Sequence, residues 1–523
     1  MRRRGSRICA RLSLLYRRPV SHVSGADREQ SRIIAKGTRL HGRVIFLVGR
    51  LIPSILALMV AALLTRLLKP EEYGLYALGL SIIFFLTIGV FEWLGLSLMR
   101  MAAGASRPDL LYGTIMTCFV TLLGVCFVVA GLALMVEGVG NYASLVFASL
   151  LASSVTVWFE LRQRLQMAEL RAAEYFRMSV GRGLLTTLLV SAAALTWHSA
   201  SLSLFALAVS ICLAGLLVPE RHLGFSRLRF DREIFASILR FGVPLSVSVG
   251  LATFLMSLDK WLLQALSGPE AVGLFNAAAL LTQMPIQALA VGIGPLSYSM
   301  AVRTLELNSK ATKSQLAQNF ILLIGIVLPS AVGVVAVSDN LAHLIVAQFY
   351  WKSVVSLAPW LSATAVVGTI RAHYIDAAFQ LAHRTLLLAL FTVLALVVNL
   401  TLDIWLIPPL GVLGAAIGSF FALLSSSVVA AICSRFVFPL PLPMIDTAKV
   451  LVSTGVMFLV VHQLASWSGP WALLCQITVG GAVYTALVVI LNVLNVREWI
   501  IQRFLLIRRR ASPYRGQPQP PMG

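Results

Sequence analysis

The sequence contains few charged residues. Of its 523 residues, 12% are Asp, Glu, Lys or Arg and 58% are hydrophobic. A soluble protein carries about 25% charged residues, so this composition excludes a soluble globular chain and predicts a polytopic membrane protein. The formal net charge of +21 does not indicate a nucleic-acid partner, because the basic residues lie in short segments between apolar runs, as membrane orientation requires.

Cysteine and catalytic patterns are also scarce. The six cysteines include no CxxC pair and no Cys/His cluster, which indicates neither a disulfide framework nor a metal site. The chain has no Walker A loop, and its predicted loops are too short to form a catalytic domain. We therefore expect no ATP hydrolysis, no other enzymatic activity and no cofactor.

Long apolar runs dominate what is present. A membrane-spanning helix needs about 20 mostly apolar residues, and fourteen such stretches lie between residues 44 and 494. We predict an all-α fold of fourteen transmembrane helices. Its segments are a basic cytoplasmic arm (1–43), an N-terminal six-helix bundle (44–218), a cytoplasmic linker (219–237), a C-terminal six-helix bundle (238–436), two extra helices (437–495) and a basic, disordered cytoplasmic tail (496–523).

The basic residues alternate in phase with these spans. Thirty-five of the 42 Lys and Arg residues fall on the side of the N-terminus, and three lie inside spans. The opposite side holds only four: Arg66, Lys69, Lys260 and Lys352. Because positively charged loops stay in the cytoplasm, both termini are predicted to be cytoplasmic. The Arg-rich arm is also typical of an organelle transit peptide, but we favour an arm that lies near anionic lipid.

One short stretch occurs twice, 199 positions apart. Pro, Glu, Gly, Leu and an aromatic residue recur in register in residues 69–76 and 268–275, and the apolar run before each copy carries a proline, Pro53 or Pro244. Because Pro and Gly mark turns, this pattern predicts a repeated turn between repeated hydrophobic hairpins. It therefore indicates two related halves, with both turns on the outer face.

Three stretches in order resemble a known family. They are residues 64–74; 258–260 with 268–278; and Asn399 with 406–408 and 411–416. From about residue 40 to 436 the chain is similar to the polysaccharide-transport branch of the multidrug/oligosaccharidyl-lipid/polysaccharide exporter superfamily. The resemblance implies two pseudo-symmetric six-helix bundles facing each other in a V, with the substrate between them. It also implies export or flipping of a lipid-linked sugar across a bacterial inner membrane.

Charged residues inside the spans are the first candidate site residues. A charge in a span is costly and usually faces a cavity or a partner, and Arg50, Arg182 and Arg371 are such charges. Arg371 lies 13 positions before Arg384, roughly 20 Å along a helix. Arginine binds phosphate oxygens in bidentate fashion, so all three could hold a lipid phosphate. Arg182 could equally anchor the helix at the interface.

Uncharged and acidic side chains complete the candidates. Asn276, Gln283 and Asn399 could donate hydrogen bonds to a glycan or bridge helices. Two acids are candidates for ion coupling: Glu92, which could instead pair with Arg50, and Asp376, which could pair with Arg371. Asp259 and Asp403 lie near the outer ends of their spans, where we expect solvent.

The combined prediction is a flippase that moves an oligosaccharide linked to undecaprenyl phosphate or pyrophosphate. We expect it to work by alternating access. A glycan polymerase and glycosyltransferases are its predicted protein partners. Two alternatives stay open at this point. One is an ion-coupled small-molecule efflux pump of the same superfamily, and the other is a non-transporting membrane scaffold for glycan assembly. The predicted location in every case is a bacterial inner membrane.

Overall fold

The computed structural model describes residues 49, 52–102, 107–135, 139–219, 228–305 and 309–498. Within these ranges the backbone is almost entirely helical and contains no β-strand. The predicted arm 1–43, Arg50 and all but the first three residues of the tail 496–523 lie outside them.

Twelve of the described helices are long and apolar enough to cross a membrane, which makes the chain a multi-pass membrane protein. Two shorter apolar helices, Ile52–Leu67 and Ala200–Leu216, fall where the first and sixth spans are predicted. The all-α class is therefore confirmed. The count of fourteen spans in two six-helix bundles stays a prediction.

We call residues 52–219 the first half, 228–437 the second half and 444–490 the extra pair. The first half contains α1 (Ile52–Leu67), α2 (Pro70–Phe84), α3 (Glu92–Ala102), α4 (Pro108–Ala133), α5 (Ala143–Ala168), α6 (Ala172–Trp197) and α7 (Ala200–Leu216). The second half contains α8 (Arg232–Ser267), α9 (Pro269–Leu305), α10 (Ser309–Ala336), α11 (Ser338–Ile345), α12 (Trp351–Ile370), α13 (Asp376–Leu381), α14 (Leu386–Leu410) and α15 (Val412–Val437). The extra pair is α16 (Met444–Gln463) and α17 (Pro470–Ile490).

Two spans change helical type along their length. A π-helical segment, Phe85–Val90, joins α2 to α3, and a second, Arg371–Ile375, joins α12 to α13. π-Helical turns are rare and are found frequently at functional sites. Arg371, a predicted site residue, opens the second segment.

Both copies of the repeated stretch begin a helix. Pro70 is the first residue of α2 and Pro269 the first residue of α9, a position that suits proline because its missing N–H has no helical partner there. The turns are confined to the residues just before these prolines. Lys69 is extended, and Gly268 has a φ of +83°, which glycine tolerates. This corrects the prediction that residues 69–76 and 268–275 are themselves turns.

The largest apolar core cluster contains side chains from both halves. Small residues make this possible, since Ala77 of α2 and Ala277 and Ala278 of α9 are all 0% exposed. In lipid, helices associate through close packing, and small side chains let their backbones approach. The two halves therefore share one core, which brings α2 and α9 together.

The helix α11 connects three parts of the molecule. Its Asn340 donates a hydrogen bond of 3.0 Å to the Gln476 side chain of α17. The Arg66 guanidinium of α1 donates a bond of 2.6 Å to the Leu344 carbonyl. Asn340 and Gln476 are 7% and 1% exposed, so a buried polar contact fixes the extra pair against the second half.

Candidate functional site

The two motif copies pack directly against each other. A Cβ atom at Gly74 would lie 2.6 Å from the carbonyl carbon of Pro269, and one at Gly273 would lie 2.8 Å from the carbonyl oxygen of Pro70. Only glycine leaves room for backbones this close. The contact places both copies at one end of the molecule, as a parallel repeat requires. We call it the motif end.

A buried polar cluster lies beside this glycine contact. The Asn276 amide donates a hydrogen bond of 3.1 Å to the Tyr73 hydroxyl, and both residues are buried. The Tyr73 ring meets Tyr350 edge-on, with 5.6 Å between ring centroids. Asn276, a predicted glycan ligand, therefore lies inside the contact between the two halves.

Two further hydrogen bonds join α8 to the first half. The Trp261 indole N–H donates to the Ser81 hydroxyl at 3.0 Å, and the Gln264 amide donates to the Tyr142 hydroxyl at 3.1 Å. Together with the glycine contact, these bonds hold the two halves together at the motif end.

Burial decreases along α9 with distance from the motif end. Thr282 is fully buried and Met284 is 49% exposed. Gln283, a predicted glycan ligand, is half-buried at this boundary. The packing of α9 is therefore tight near the motif end and looser farther along the helix.

Two carboxyl groups lie side by side inside the second half. Asp259 of α8 is 8% exposed and Asp403 of α14 is 0% exposed. The Asp259 oxygens accept hydrogen bonds from the Asn399 amide at 3.1 Å and from the Ser419 hydroxyl at 2.6 Å. Neither oxygen of Asp403 receives a hydrogen bond from any residue that the structure describes. The expectation that both aspartates are solvated is therefore wrong. Their positions in the sequence indicated how deep they lie along their helices, but not which helix face they occupy.

Helix α15 leaves room for the Asp403 carboxyl group, because a Cβ atom at Gly418 would overlap its Oδ1. Asp403 lies four residues after Asn399 on α14 and contacts Gly418, the neighbour of Ser419, so its carboxyl group lies beside both partners of Asp259. Two neighbouring carboxyl groups can share a hydrogen bond only when one carries a proton. Carboxylate, amide and hydroxyl oxygens also suit small hard cations. Asp259, Asp403, Asn399 and Ser419 could therefore hold either a proton or a small cation.

An ion-pair cluster lies in the first half. The Arg164 guanidinium of α5 is 2.5 Å from the Glu92 carboxylate of α3 and 3.8 Å from Glu160. Gly95 makes space for it, because a Cβ atom there would lie 2.6 Å from the Cδ of Arg164. In the described structure Glu92 therefore pairs with Arg164, while the partner predicted for it, Arg50, lies outside the described residues.

Arg182 of α6 is half-buried near this cluster. Its guanidinium carbon lies 5.3 Å from the centroid of the Phe159 ring, which is a cation–π distance. Phe159 precedes Glu160 on α5, so Arg182 lies beside the ion-pair cluster of the first half.

Arg371 points into the second half. Its side chain donates hydrogen bonds to the Ser426 hydroxyl at 2.6 Å and to the Thr392 hydroxyl at 3.4 Å. Its Nε lies 3.9 Å from Oδ1 of Asp376. Arg371 is 6% exposed, and its guanidinium cross-links the π-helical segment after α12 to α14 and α15. The ion pair with Asp376, which the sequence left open, is present at long range.

Two residues of these clusters escaped the sequence analysis. Arg164 lies four positions after Glu160, a spacing that places them on one helix face and could have indicated the pair. Ser419 follows Gly418 in a run of small residues that resembles ordinary helix packing. Only the approach of α15 to α8 reveals Ser419 as a partner of Asp259.

The chain has recognisable relatives. Residues 40–296 match a family model described as polysaccharide biosynthesis protein. No curated protein sequence matches the chain significantly. The fold is similar to that of the lipid II flippase MurJ in an inward closed conformation, with a TM-score of 0.69 and 14% identity over 87% of this chain and 100% of that chain.

Multidrug transporters share the fold as well. An inward-facing multidrug resistance MATE family transporter of the MOP superfamily matches with a TM-score of 0.60 and 17% identity, over 75% of this chain and 97% of that chain. A MATE structure in complex with MaL6 matches with a TM-score of 0.54 and 15% identity, over 75% and 94%. The chain thus shares its fold with the lipid II flippase and with the MATE transporters. These matches confirm the resemblance to the polysaccharide-transport branch that the motifs indicated.

Proposed function

We propose that the chain is a flippase, and not an enzyme, that moves a lipid-linked oligosaccharide or polysaccharide intermediate across the bacterial inner membrane. The carrier would be undecaprenyl phosphate or pyrophosphate. The likeness to a lipid II flippase carries this proposal, because it extends over 87% of this chain, against 75% for the MATE transporters. The family model named for polysaccharide biosynthesis supports the same substrate class.

Alternating access is the proposed mechanism. A transporter must close one end while the other admits substrate, and the contact of Gly74 with Pro269 supports closure at the motif end. The exposed Met284, beyond the buried Thr282, supports an accessible space farther along α9. If the termini are cytoplasmic, as the charge pattern predicts, the motif end is the outer end. Reporter fusions after residues 68 and 268 should then score outside, and fusions after 105 and 308 inside.

The substrate contacts we propose follow from side-chain availability. Arg182 and Gln283 are half-buried and remain our candidates for the phosphate and the glycan, together with Arg50. The remaining three predicted ligands contact protein groups instead: Arg371, Asn276 and Asn399. We assign Arg371 to helix packing, Asn276 to the closure at the motif end and Asn399 to the carboxyl pair.

We place ion coupling at Asp259 and Asp403. The two coupling candidates from the sequence already have partners, since Glu92 bonds to Arg164 and Asp376 lies near Arg371. Asp403 has no donor among the described residues, and an ionisable group inside a membrane without a partner is usually functional. A proton or cation bound there would supply the energy for transport.

The flippase function can be tested by complementation. We expect the chain to restore surface glycan in a bacterial strain that lacks its own lipid-linked glycan flippase, beside that strain's polymerase and glycosyltransferases. Purified chain in proteoliposomes should also transfer a fluorescent lipid-linked oligosaccharide between leaflets. Normal expression without either activity would refute the flippase.

The likeness to MATE transporters favours ion-coupled drug efflux as the second candidate. Efflux predicts lower drug accumulation in cells that express the chain and no restored glycan. A scaffold predicts restored glycan without lipid transfer in proteoliposomes.

A further inference from the structure

The short helix α11 lies between two apolar clusters. Its Ala342 is 0% exposed and belongs to the largest cluster, which the two halves share. Its Leu341 packs against that cluster and also against a second one, which contains side chains of the extra pair such as Met457. The segment after α11 reaches the motif end, where Tyr350 meets Tyr73 of α2. The helix α11 therefore connects the extra pair to the motif end.

Polar contacts fix the extra pair to the second half. The Asn340 amide of α11 donates hydrogen bonds to the Gln476 side chain at 3.0 Å and to the Trp467 carbonyl at 2.9 Å. Farther along α17, the Tyr484 hydroxyl donates a bond of 2.6 Å to the Gly325 carbonyl of α10. Hydrogen bonds between helices hold neighbouring spans together in lipid. The extra pair, α10 and α11 therefore form one packed unit.

The first half contacts this unit through Arg66, at the end of α1. Its guanidinium Nη2 donates a hydrogen bond of 2.6 Å to the carbonyl of Leu344, which lies in the last turn of α11. The last four carbonyls of a helix have no partner within the helix, and they form the negative end of its dipole. A cationic side chain satisfies them, so Arg66 caps α11 from the other half of the molecule.

The position of Arg66 ties this cap to the contact between the halves. Arg66 is one of only four basic residues that the charge pattern places on the outer side of the membrane, where basic residues are rare. It lies four residues before Pro70, whose carbonyl oxygen faces Gly273 of the second half. The bond to α11 crosses from one half to the other, so it must break when the halves separate at the motif end.

We propose that α11 is a latch on the motif end. Arg66 caps α11 while that end is closed and releases it when the end opens, and the extra pair holds α11 in place for this contact. A cation at an exposed helix end shifts an equilibrium only about 2- to 5-fold, so the cap is weak enough to break in each transport cycle. This inference rests on the proposed alternating access and assigns the extra pair a role in gating.

A cross-link between α1 and α11 tests the release. In a full-length chain without native cysteines, a short bismaleimide joins Arg66→Cys to Leu344→Cys, since both positions are exposed. In proteoliposomes the cross-linked protein should lose transfer of a fluorescent lipid-linked oligosaccharide, relative to the two single-cysteine proteins treated in the same way. The control joins Ser144→Cys to Ser201→Cys, whose hydroxyls lie 3.2 Å apart within the first half, and should transfer normally. Normal transfer by the cross-linked Arg66 and Leu344 positions would overturn the latch.

A second measurement does not depend on transport. Ala77→Cys, at a position that is buried at the motif end, reports opening through its labelling by a membrane-impermeant maleimide. Arg66→Gln should raise the labelling rate about 2- to 5-fold, whereas Arg66→Lys keeps a cation at the helix end and should label slowly. Lys352→Gln removes an exposed positive charge near the same end and is the control. Equal labelling in Arg66→Gln and the unchanged chain would overturn the cap.

The role of the extra pair needs its own variant. Gln476→Met keeps the length of the side chain and removes the bond to Asn340, so it should raise labelling of Ala77→Cys. Thr478→Val changes an exposed residue of the same helix and should not. Gln476→Asn, which shortens the side chain but keeps its amide, serves if Gln476→Met does not fold. Unchanged labelling in a folded Gln476 variant would overturn the role of the extra pair.

Transport and labelling separate this inference from the proposed function. If the chain transfers lipid-linked oligosaccharide and does so equally well when Arg66→Cys is cross-linked to Leu344→Cys, the latch fails and the flippase stands. If the chain transfers nothing but Arg66→Gln raises the labelling rate, the flippase fails and the latch stands.

Discussion

Replacing Gly74 by alanine should open the motif end. A Cβ atom there would lie 2.6 Å from the Pro269 carbonyl carbon and 3.1 Å from the Gly273 nitrogen, whereas ordinary contacts begin at 3.4 Å. The α2 and α9 backbones must therefore separate by at least about 0.8 Å. Overpacking of this kind costs about 1–3 kcal/mol. That cost falls on the closed state alone, so the ratio of closed to open molecules should drop about 5- to 150-fold.

The assay reports how accessible the closed end is. Ala77, one turn beyond Gly74, is 0% exposed. In a cysteine-free chain, Ala77→Cys should react slowly with a membrane-impermeant maleimide. Adding Gly74→Ala should raise the labelling rate several-fold. Labelling from both sides of the membrane, in right-side-out and inverted vesicles, would also reveal which face carries the motif end.

The matched control is Gly124→Ala in α4, where nothing lies within 4 Å of the added Cβ atom. Alanine stabilises a helix by about 1 kcal/mol relative to glycine. The control variant has the same gain in helix stability as Gly74→Ala, but it has no steric clash. Unchanged labelling of Ala77→Cys in a folded Gly74→Ala protein would refute the view that the glycine contact closes this end.

Two further substitutions test the polar clusters. Asp403→Asn should fold normally and lose the dependence of lipid transfer on a proton or sodium gradient, because one of the two paired carboxyl groups is neutralised. Asp339→Asn, which changes an exposed acid, is its control, and retained gradient dependence in Asp403→Asn would contradict the coupling site. Arg371→Gln should lower protein abundance and destabilise the fold by about 1–3 kcal/mol, which a lower melting temperature would show, since the buried Ser426 and the half-buried Thr392 lose their donor. Normal abundance with abolished transport would return Arg371 to a substrate role.

The sequence predicted the class of fold well because composition and run length decide it. Apolar runs of sufficient length leave a chain few options except membrane-spanning helices, since lipid offers no partner to unpaired backbone groups. The repeated stretch also marks two helices that meet, α2 and α9, although the sequence did not predict their contact. Gly74 and Gly273 are in register in the sequence, and they meet in the structure.

The sequence was a weaker guide to the site. It gives the depth of a residue along its helix, but it does not give the direction in which the side chain points. Spacing placed Asp259 and Asp403 at similar depths, yet only the packing of α8 against α14 shows that they face each other. Lys260 adjoins Asp259 in the chain, but a step of one residue turns a helix by about 100°. The two side chains therefore point in different directions, and the aspartate is the one that meets Asn399 of α14.

The sequence alone determined that this chain is a helical membrane protein, because that property depends on local composition and on the length of the apolar runs. Tertiary structure decided which charges have partners. Glu92 bonds to Arg164, 72 positions away, and Asp259 bonds to Ser419, 160 positions away. Such pairs depend on which helices become neighbours and how each is rotated, and packing across the whole molecule sets both.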